Sequence, residues 1–354
     1  PPAGAQRQAF VSASLLAVLL CCAASWMSIR ARAVELAESA DPVARATQID
    51  DRALYAHIVE QVRSGRGDYV AAAEELRRHG YPLKPAMAFR LPTLAWIETM
   101  LPGARSRMLI LIALAMGAVA LWLRALVEEH FAKRMAYVLA VGSGLANVGA
   151  PGSVYLHETW SIVFQVAALA TMRRSALATG MLVFLALAIR ETALPFVVVL
   201  ATVAWLTGYR RTALHASAAI GLVGLCYLAH VMAIAGILRP DDLVSPGWLG
   251  MQGWPLVIRA VQWNLLFAAM PVALVALILP AVMAALATAQ SPEAVVGSLT
   301  TAIFALALTV VGRSDNYYWG IMISPYLLIG LGELLTSRPK WFGARKDTAG
   351  SARP

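Results

Sequence analysis

This chain has few charged residues. Charged residues make up 14% of its 354 residues, and hydrophobic residues make up 59%, well away from the usual proportions of soluble domains. The chain also lacks a repeat with a period of roughly 20 to 50 residues. These shortages exclude a soluble globular domain and a repeat protein, and they indicate a polytopic membrane protein.

Features of a zinc site or of a nucleic-acid-binding surface are also missing. The three cysteines, Cys21, Cys22 and Cys226, lie in apolar stretches and have no spacing typical of zinc ligands. The net charge of +9 is scattered, without a Lys/Arg block interleaved with aromatic residues. We therefore expect no cysteine-ligated metal site and no nucleic-acid partner, and we assign the excess positive charge to contacts with membrane lipids.

Long apolar runs recur along the chain. A helix needs about 20 apolar residues to cross the hydrocarbon, and helices satisfy their own backbone hydrogen bonds there. The predicted fold class is therefore an all-α polytopic membrane protein with about ten transmembrane helices. The predicted spans are 9–28, 107–127, 134–150, 158–172, 175–189, 193–208, 213–237, 264–288, 294–312 and 318–336.

Basic residues in short loops predict the orientation, because such residues are retained in the cytoplasm. In the ten-helix arrangement they share one side: Arg124, Lys133, Arg134, Arg173, Arg174, Arg210, Arg211, Arg338, Lys340, Arg345 and Lys346. Both termini are therefore predicted to be cytoplasmic. We expect a single transmembrane domain over 1–337 and a short, basic, disordered tail over 338–354. Segment 29–105 is long enough to escape the rule and is predicted as the first extracytoplasmic loop.

The recognisable sequence pattern of this first loop starts at Asp50 and Asp51. Apolar residues recur behind them at helical spacing, at Leu54, Ile58 and Val62. This spacing predicts an amphipathic helix along the membrane surface. Two adjacent carboxylates would then stand at its start, just outside the bilayer.

The rest of the loop predicts a second helix and an extended return. Asp68 is expected to be the N-cap of the second helix. Three prolines between Tyr81 and Trp96 forbid one continuous helix there. We therefore expect an extended segment leading back to the second span.

Other polar residues collect at the predicted outer rim, away from the bilayer centre, where a charge costs about 2.5 to 3.5 kcal/mol. An ionised aspartate accepts a proton from an attacking hydroxyl, and arginine binds phosphate with two parallel hydrogen bonds. Asp51 is therefore the candidate general base and Asp50 a second carboxylate. The candidate substrate or phosphate contacts are Tyr55, Lys84, Arg90, His157, Glu158, Arg190, Glu191, Arg313, Asn316 and Tyr317.

Each candidate has a structural alternative. Asp50 and Asp51 are also suited to capping a helix. Arg190 and Glu191 are equally compatible with a polar hairpin tip, and Tyr317 with an aromatic belt at the interface. His157 has no His or Cys partner at ligand spacing, which favours a polar helix end over a metal ligand.

The order of residues in the first loop resembles that of the GT-C integral-membrane glycosyltransferases. Protein O-mannosyltransferases and the lipid A aminoarabinose transferase carry a similar succession of an Asp motif, Gly-Asp and Lys-Pro-Pro-Leu-x-x-Trp. In this chain the corresponding elements are Asp51-x-x-x-Tyr55 preceded by Asp50, then Gly67-Asp68-Tyr69, Lys84-Pro85 and Leu91-Pro92-x-Leu94-x-Trp96. The resemblance covers about residues 50 to 96. Aligned on Tyr55, Asp51 takes the place of the family's aspartate.

The resemblance implies an inverting transferase of the inner membrane. Its donor would be a sugar on a polyprenyl phosphate, its acceptor an unidentified glycan, lipid or protein on the extracytoplasmic face, and Asp51 its base. The resemblance leaves room for a divalent cation and indicates no other cofactor. Two other hypotheses remain open: a lipid-linked saccharide flippase or transporter, and an envelope assembly subunit.

Overall fold

A computed structural model describes Ala23 and residues 50–287, 291–313 and 316–329. These residues are mostly helical and form no β-strand beyond two isolated bridges. The first predicted span apart from Ala23, the loop residues before Asp50 and the predicted tail lie outside the described residues. The helices are α1 Asp51–Arg63, α2 Asp68–Arg78, α3 Thr93–Met100, α4 Gly103–Ala125, α5 Phe131–Leu145, α6 His157–Thr171, α7 Ala176–Ile189, α8 Leu194–Leu206, α9 Arg210–Ala235, α10 Gly253–Val261, α11 Leu265–Ala268, α12 Val272–Ala287 and α13 Pro292–Val310.

Three of the described helices are long and apolar enough to cross a membrane, namely α4, α9 and α13. Three shorter apolar helices accompany them, at Ala176–Ile189, Glu191–Leu206 and Val272–Ala287. A helix of 15 residues is about 22 Å long, less than the hydrocarbon thickness of about 30 Å. The helical membrane character is thus supported, whereas the predicted number of ten spans is not confirmed.

Prolines account for two differences from the predicted spans. The eighth predicted span is divided into α11 and α12, and Pro271 stands between them. The described part of the tenth, 318–329, belongs to a 3-10 helix over Asn316–Met322 and to the turns that follow it. Pro325 lies in those turns, and proline removes a backbone donor that a continuous helix requires.

The core of the bundle surrounds α6. All of its side chains except Phe164 are buried, including polar ones such as Glu158 and Gln165. The helix packs against α4, α7 and the 316–322 segment. Its N-terminal residues, His157 and Glu158, are therefore held inside the protein.

The first loop folds into a separate small layer, which we term the outer layer. Asp50 caps α1 by accepting a hydrogen bond from the backbone N–H of Arg52, and Gly65, with φ of 94°, lies in the turn that follows the helix. Apolar residues of α1, α2 and the following segment form a small core with Ile234 of α9: Leu54, Ile58, Ala73, Leu76, Leu83 and Phe89. This core fixes the direction of α1 and therefore the position of Asp51.

Two details of the loop differ from the sequence prediction. The N-cap of α2 is Gly67, and Asp68 is the first helical residue. The segment that was expected to be extended as far as the second span contains a helix, α3, which begins directly after Pro92. Proline is compatible with the start of a helix because that position needs no backbone donor.

Helix α10 was not predicted. It buries Leu256, Val257 and Ile258 and packs against the 3-10 segment 316–322. The contact is tightest at Gly320, where an added Cβ would overlap the backbone carbonyl of Ala260. The 316–322 segment thus depends on a glycine for its close approach to α10.

Candidate functional site

A cavity of about 150 Å³ opens between the first loop and the bundle. Helix α1, the segment after α2, the start of α6 and the 313–319 segment contribute its wall. Polar and aromatic side chains line much of it: Asp51, Tyr55, Asp68, Tyr81, Arg90, Glu98, His157, Trp248, Arg313, Asn316, Tyr318 and Trp319. A volume of this size holds several water molecules or a small polar group.

Asp51 is held at this cavity by two tyrosines. Its Oδ1 accepts a hydrogen bond from Tyr81 and its Oδ2 accepts one from Tyr318, each at 3.1 Å. Burial raises the pKa of Asp51, while the positive charge of Arg90 and the two hydroxyl donors oppose the shift. A carboxylate with a raised pKa is a stronger proton acceptor than a solvated aspartate.

Asp50 lies outside the cavity. Its side chain is exposed, accepts from the Arg52 backbone N–H at 3.4 Å and approaches the Arg52 guanidinium at 3.7 Å. The guanidinium of Arg52 in turn donates to the carbonyl of Pro151. The two adjacent aspartates thus separate into a helix cap at 50 and a cavity residue at 51.

Tyr55 and His157 form the floor of the cavity. Their rings meet edge to face with centroids 4.7 Å apart. His157 is buried, and its Nδ1 has no hydrogen-bond partner among the described residues. Burial raises the pKa of Tyr55 to about 12, so its hydroxyl is neutral near pH 7 and acts as a donor or a contact.

Four charged residues beside the cavity form a chain of ion pairs. The guanidinium of Arg190 lies 2.7 Å from Glu158 and 2.8 Å from Glu191, and Arg90 lies 3.5 Å from the same oxygen of Glu191. Arg190 is only 1% exposed and does not line the cavity. Neither Glu158 nor Glu191 lines it either, so Arg90 is the member of this chain that reaches the cavity.

Arg313 also lines the cavity. Its backbone N–H donates to the side-chain carbonyl of Asn316 at 2.9 Å, and its guanidinium lies over the ring of Trp248 at 5.8 Å. Among the described residues, its side chain has no carboxylate partner and its Nε has no hydrogen bond. Arg313 is therefore a cation available to an anionic group in the cavity.

Lys84 and Tyr317 are placed elsewhere. The ammonium group of Lys84 donates to the carbonyl of Pro240 at 3.0 Å, and its backbone pairs with the 243–245 segment. Tyr317 is 43% exposed and stacks on Trp263. The cavity thus includes Tyr318 rather than its neighbour, and it excludes Lys84.

Several cavity residues were not among the predicted site residues. Four of them lie in loops whose sequence indicates a proline-rich or interfacial segment, namely Tyr81, Tyr318, Trp248 and Trp319. The sequence of another, Asp68, predicted a helix cap. Burial raises the pKa of Asp68 to about 6. The Gly-Asp-Tyr sequence was the available signal for Asp68, whereas nothing local distinguishes Tyr318 from Tyr317.

The basic loops lie at the other end of α6. Arg173 and Arg174 follow that helix and line a shared cavity with Arg210 and Arg211. The 15 residues of α6 separate its ends by about 21 Å. Two of the predicted cytoplasmic loops are therefore adjacent, and the Asp51 cavity is remote from them.

Comparison with known proteins identifies no relative for this chain. No protein-family model matches it, and searches of curated proteins and of solved structures return no significant match. The geometry of the cavity and the sequence of the first loop are therefore the features that indicate a function.

Proposed function

We propose that this protein is a membrane glycosyltransferase that moves a sugar from a polyprenyl-phosphate donor to an acceptor at the outer face of a bacterial inner membrane. The observation that carries the proposal is the half-buried Asp51 in a cavity that also holds Arg313, whose guanidinium has no carboxylate partner among the described residues. The motifs in 50–96 resemble the GT-C enzymes, whose first outer loop supplies an aspartate as base. The apolar helices agree with a multi-pass protein.

The reaction we propose is one displacement at the anomeric carbon. Asp51 accepts the proton of the acceptor hydroxyl while the acceptor oxygen forms its bond to that carbon. The bond between the carbon and the phosphate oxygen breaks, and the polyprenyl phosphate leaves with the electron pair. Arg313 neutralises the leaving phosphate, because a guanidinium is suited to two parallel hydrogen bonds with it.

The surrounding residues have supporting roles in this proposal. Tyr81 and Tyr318 orient the Asp51 carboxylate, and Trp248 and Trp319 offer aromatic faces to the sugar. Arg90 contributes a second positive charge whose position is set by Glu191. Arg190 contacts the carboxylates of Glu158 and Glu191. We therefore assign it a structural role beside the cavity and not a contact with the phosphate.

The test is a transfer assay with the purified protein in lipid vesicles and radiolabelled polyprenyl-phosphate sugars. Extracts of the bacterial envelope supply acceptors. Transfer of label supports the enzyme, and movement of the intact donor across the bilayer supports a flippase. The absence of both transfer and movement supports an assembly subunit. Asp51→Asn should abolish transfer, whereas Asp50→Asn should retain it because asparagine caps a helix equally well.

A further inference from the structure

A cluster of metal-ligating side chains joins α1 to α2 on the outer layer. His57 comes from α1, Glu75 from the last turns of α2, and His79 is the C-cap that follows α2. Their ligand atoms all lie within 4.8 Å of one another. The Glu75 Oε2 atom lies 3.7 Å from Nδ1 of His57 and 3.5 Å from Nε2 of His79.

The central carboxylate of this cluster has one unsatisfied oxygen. Glu75 is fully buried, and its Oε1 pairs with Arg78 at 2.6 Å. Its Oε2 and the Nε2 of His79 are buried without a hydrogen-bond partner among the described residues. An unsatisfied buried carboxylate oxygen costs free energy, and here two imidazoles lie beside it.

The two separations that involve the Glu75 carboxylate are close to those around a tetrahedral ion. Ligand atoms about 2.0 to 2.2 Å from zinc lie roughly 3.4 Å from each other in a tetrahedron. The two distances from Glu75 Oε2 exceed that value by only a few tenths of an ångström. The Arg78 contact to the other oxygen would orient the carboxylate, as outer partners of metal ligands do.

We propose that His57, Glu75 and His79 bind one zinc ion, with water as the fourth ligand, and that the ion fastens α1 to α2. Two imidazoles and a carboxylate are a ligand set that zinc accepts. The position indicates a structural role: none of the three residues lines the Asp51 cavity, and His57 projects about 120° around α1 from Asp51. The ion would steady the helix that positions Asp51 without contacting the substrate.

The experiment measures zinc binding without any sugar donor. Tag-free protein with Cys21, Cys22 and Cys226 changed to serine is stripped with a chelator, and zinc affinity is measured by competition with a chromophoric chelator. We expect one zinc per chain and a higher melting temperature on its addition. His57→Ala, Glu75→Gln and His79→Ala should each weaken binding by more than about tenfold.

His215→Ala is the matched control, because it removes an exposed histidine from another helix, and it should bind zinc like the parent. His57 is half exposed, so His57→Ala tests the site even if the Glu75 variant misfolds. Zinc affinity that is unchanged in folded His57→Ala, or no bound zinc in the parent, would overturn the proposal. Asp51→Asn should retain the ion, which separates this result from the outcome of the transfer assay.

Discussion

The hydroxyl of Tyr318 donates a hydrogen bond to Oδ2 of Asp51 across 267 positions of the chain. This bond stabilises the charged form of the carboxylate and opposes the effect of burial on its pKa. Tyr318→Phe should therefore raise the pKa of Asp51. The acidic limb of the pH profile for sugar transfer should move to higher pH, because Asp51 must be ionised to accept a proton.

Tyr317→Phe is the control for this prediction, since Tyr317 is exposed and stacks on Trp263. Its pH profile should match that of the parent. The measurement is transfer rate against pH at saturating donor. An unshifted acidic limb in the Tyr318 variant would remove Asp51 from the role of base.

Arg313 should contribute binding energy to the phosphate of the donor. Replacing it with alanine removes a charged hydrogen bond, which is worth about 1.5 to 3 kcal/mol. We expect Arg313→Ala to lower kcat/KM for the polyprenyl-phosphate sugar by about 10- to 100-fold, with partial recovery in Arg313→Lys. Arg239→Ala, which changes an exposed arginine of another loop, should leave kcat/KM unchanged. Equal effects of the two alanine variants would argue against a specific phosphate contact.

The contact between Arg77 and Asp242 should stabilise the outer layer in a pH-dependent way. Two hydrogen bonds join the guanidinium to the carboxylate at 2.6 and 2.8 Å, and the Arg239 backbone N–H adds a third. The hydrogen bonds from Arg77 lower the pKa of Asp242 from 3.8 to about 2. Asp242→Asn should lower the free energy of unfolding by roughly 2 to 3 kcal/mol near pH 6.

The sign of the pH effect follows from the lowered pKa. The stabilisation is complete above pH 3.8 and is lost as the pH falls through about 2. The melting temperatures of the parent and Asp242→Asn should therefore converge at low pH. Asp241→Asn changes the exposed neighbouring carboxylate and should melt like the parent throughout. A difference between parent and Asp242→Asn that is as large at pH 2 as at pH 6 would contradict this account.

The predicted orientation can be tested with single cysteines in a background without the native ones. Ser64 and Ser175 are exposed, at the end of α1 and beside Arg173 and Arg174. A membrane-impermeant thiol reagent added to intact spheroplasts should label Ser64→Cys and spare Ser175→Cys. Lysis should make both accessible. The reverse pattern would place the Asp51 cavity in the cytoplasm and exclude the proposed reaction there.

Local periodicity predicted the first loop well where a helix buries one face. Leu54 and Ile58 are buried, and α1 extends over Asp51–Arg63, because the burial of apolar residues at helical spacing is encoded within a few turns. The same reasoning missed α10, whose nine residues are far fewer than a span requires. It also extended a helix through Pro325, where hydropathy alone gave no indication of a turn.

The partners of the site residues were beyond local prediction. Arg190 and Arg313 look equivalent in sequence, as cations beside apolar runs. The packing of α6 against α7 provides Arg190 with Glu158, whereas Arg313 has only an aromatic neighbour for its guanidinium among the described contacts. Likewise, Glu75 and His79 share a helix face in sequence, but His57 joins them only through the pairing of α1 with α2.

Gly320 restricts how the wall of the Asp51 cavity can change. The segment bearing Asn316 and Tyr318 rests on α10 through a residue whose side chain is a single hydrogen. Even an alanine there would push that wall away from Asp51. Under the proposed function, variation in the sugar accepted is expected at Trp248 or Trp319, which line the cavity, while position 320 stays constrained although it does not line it.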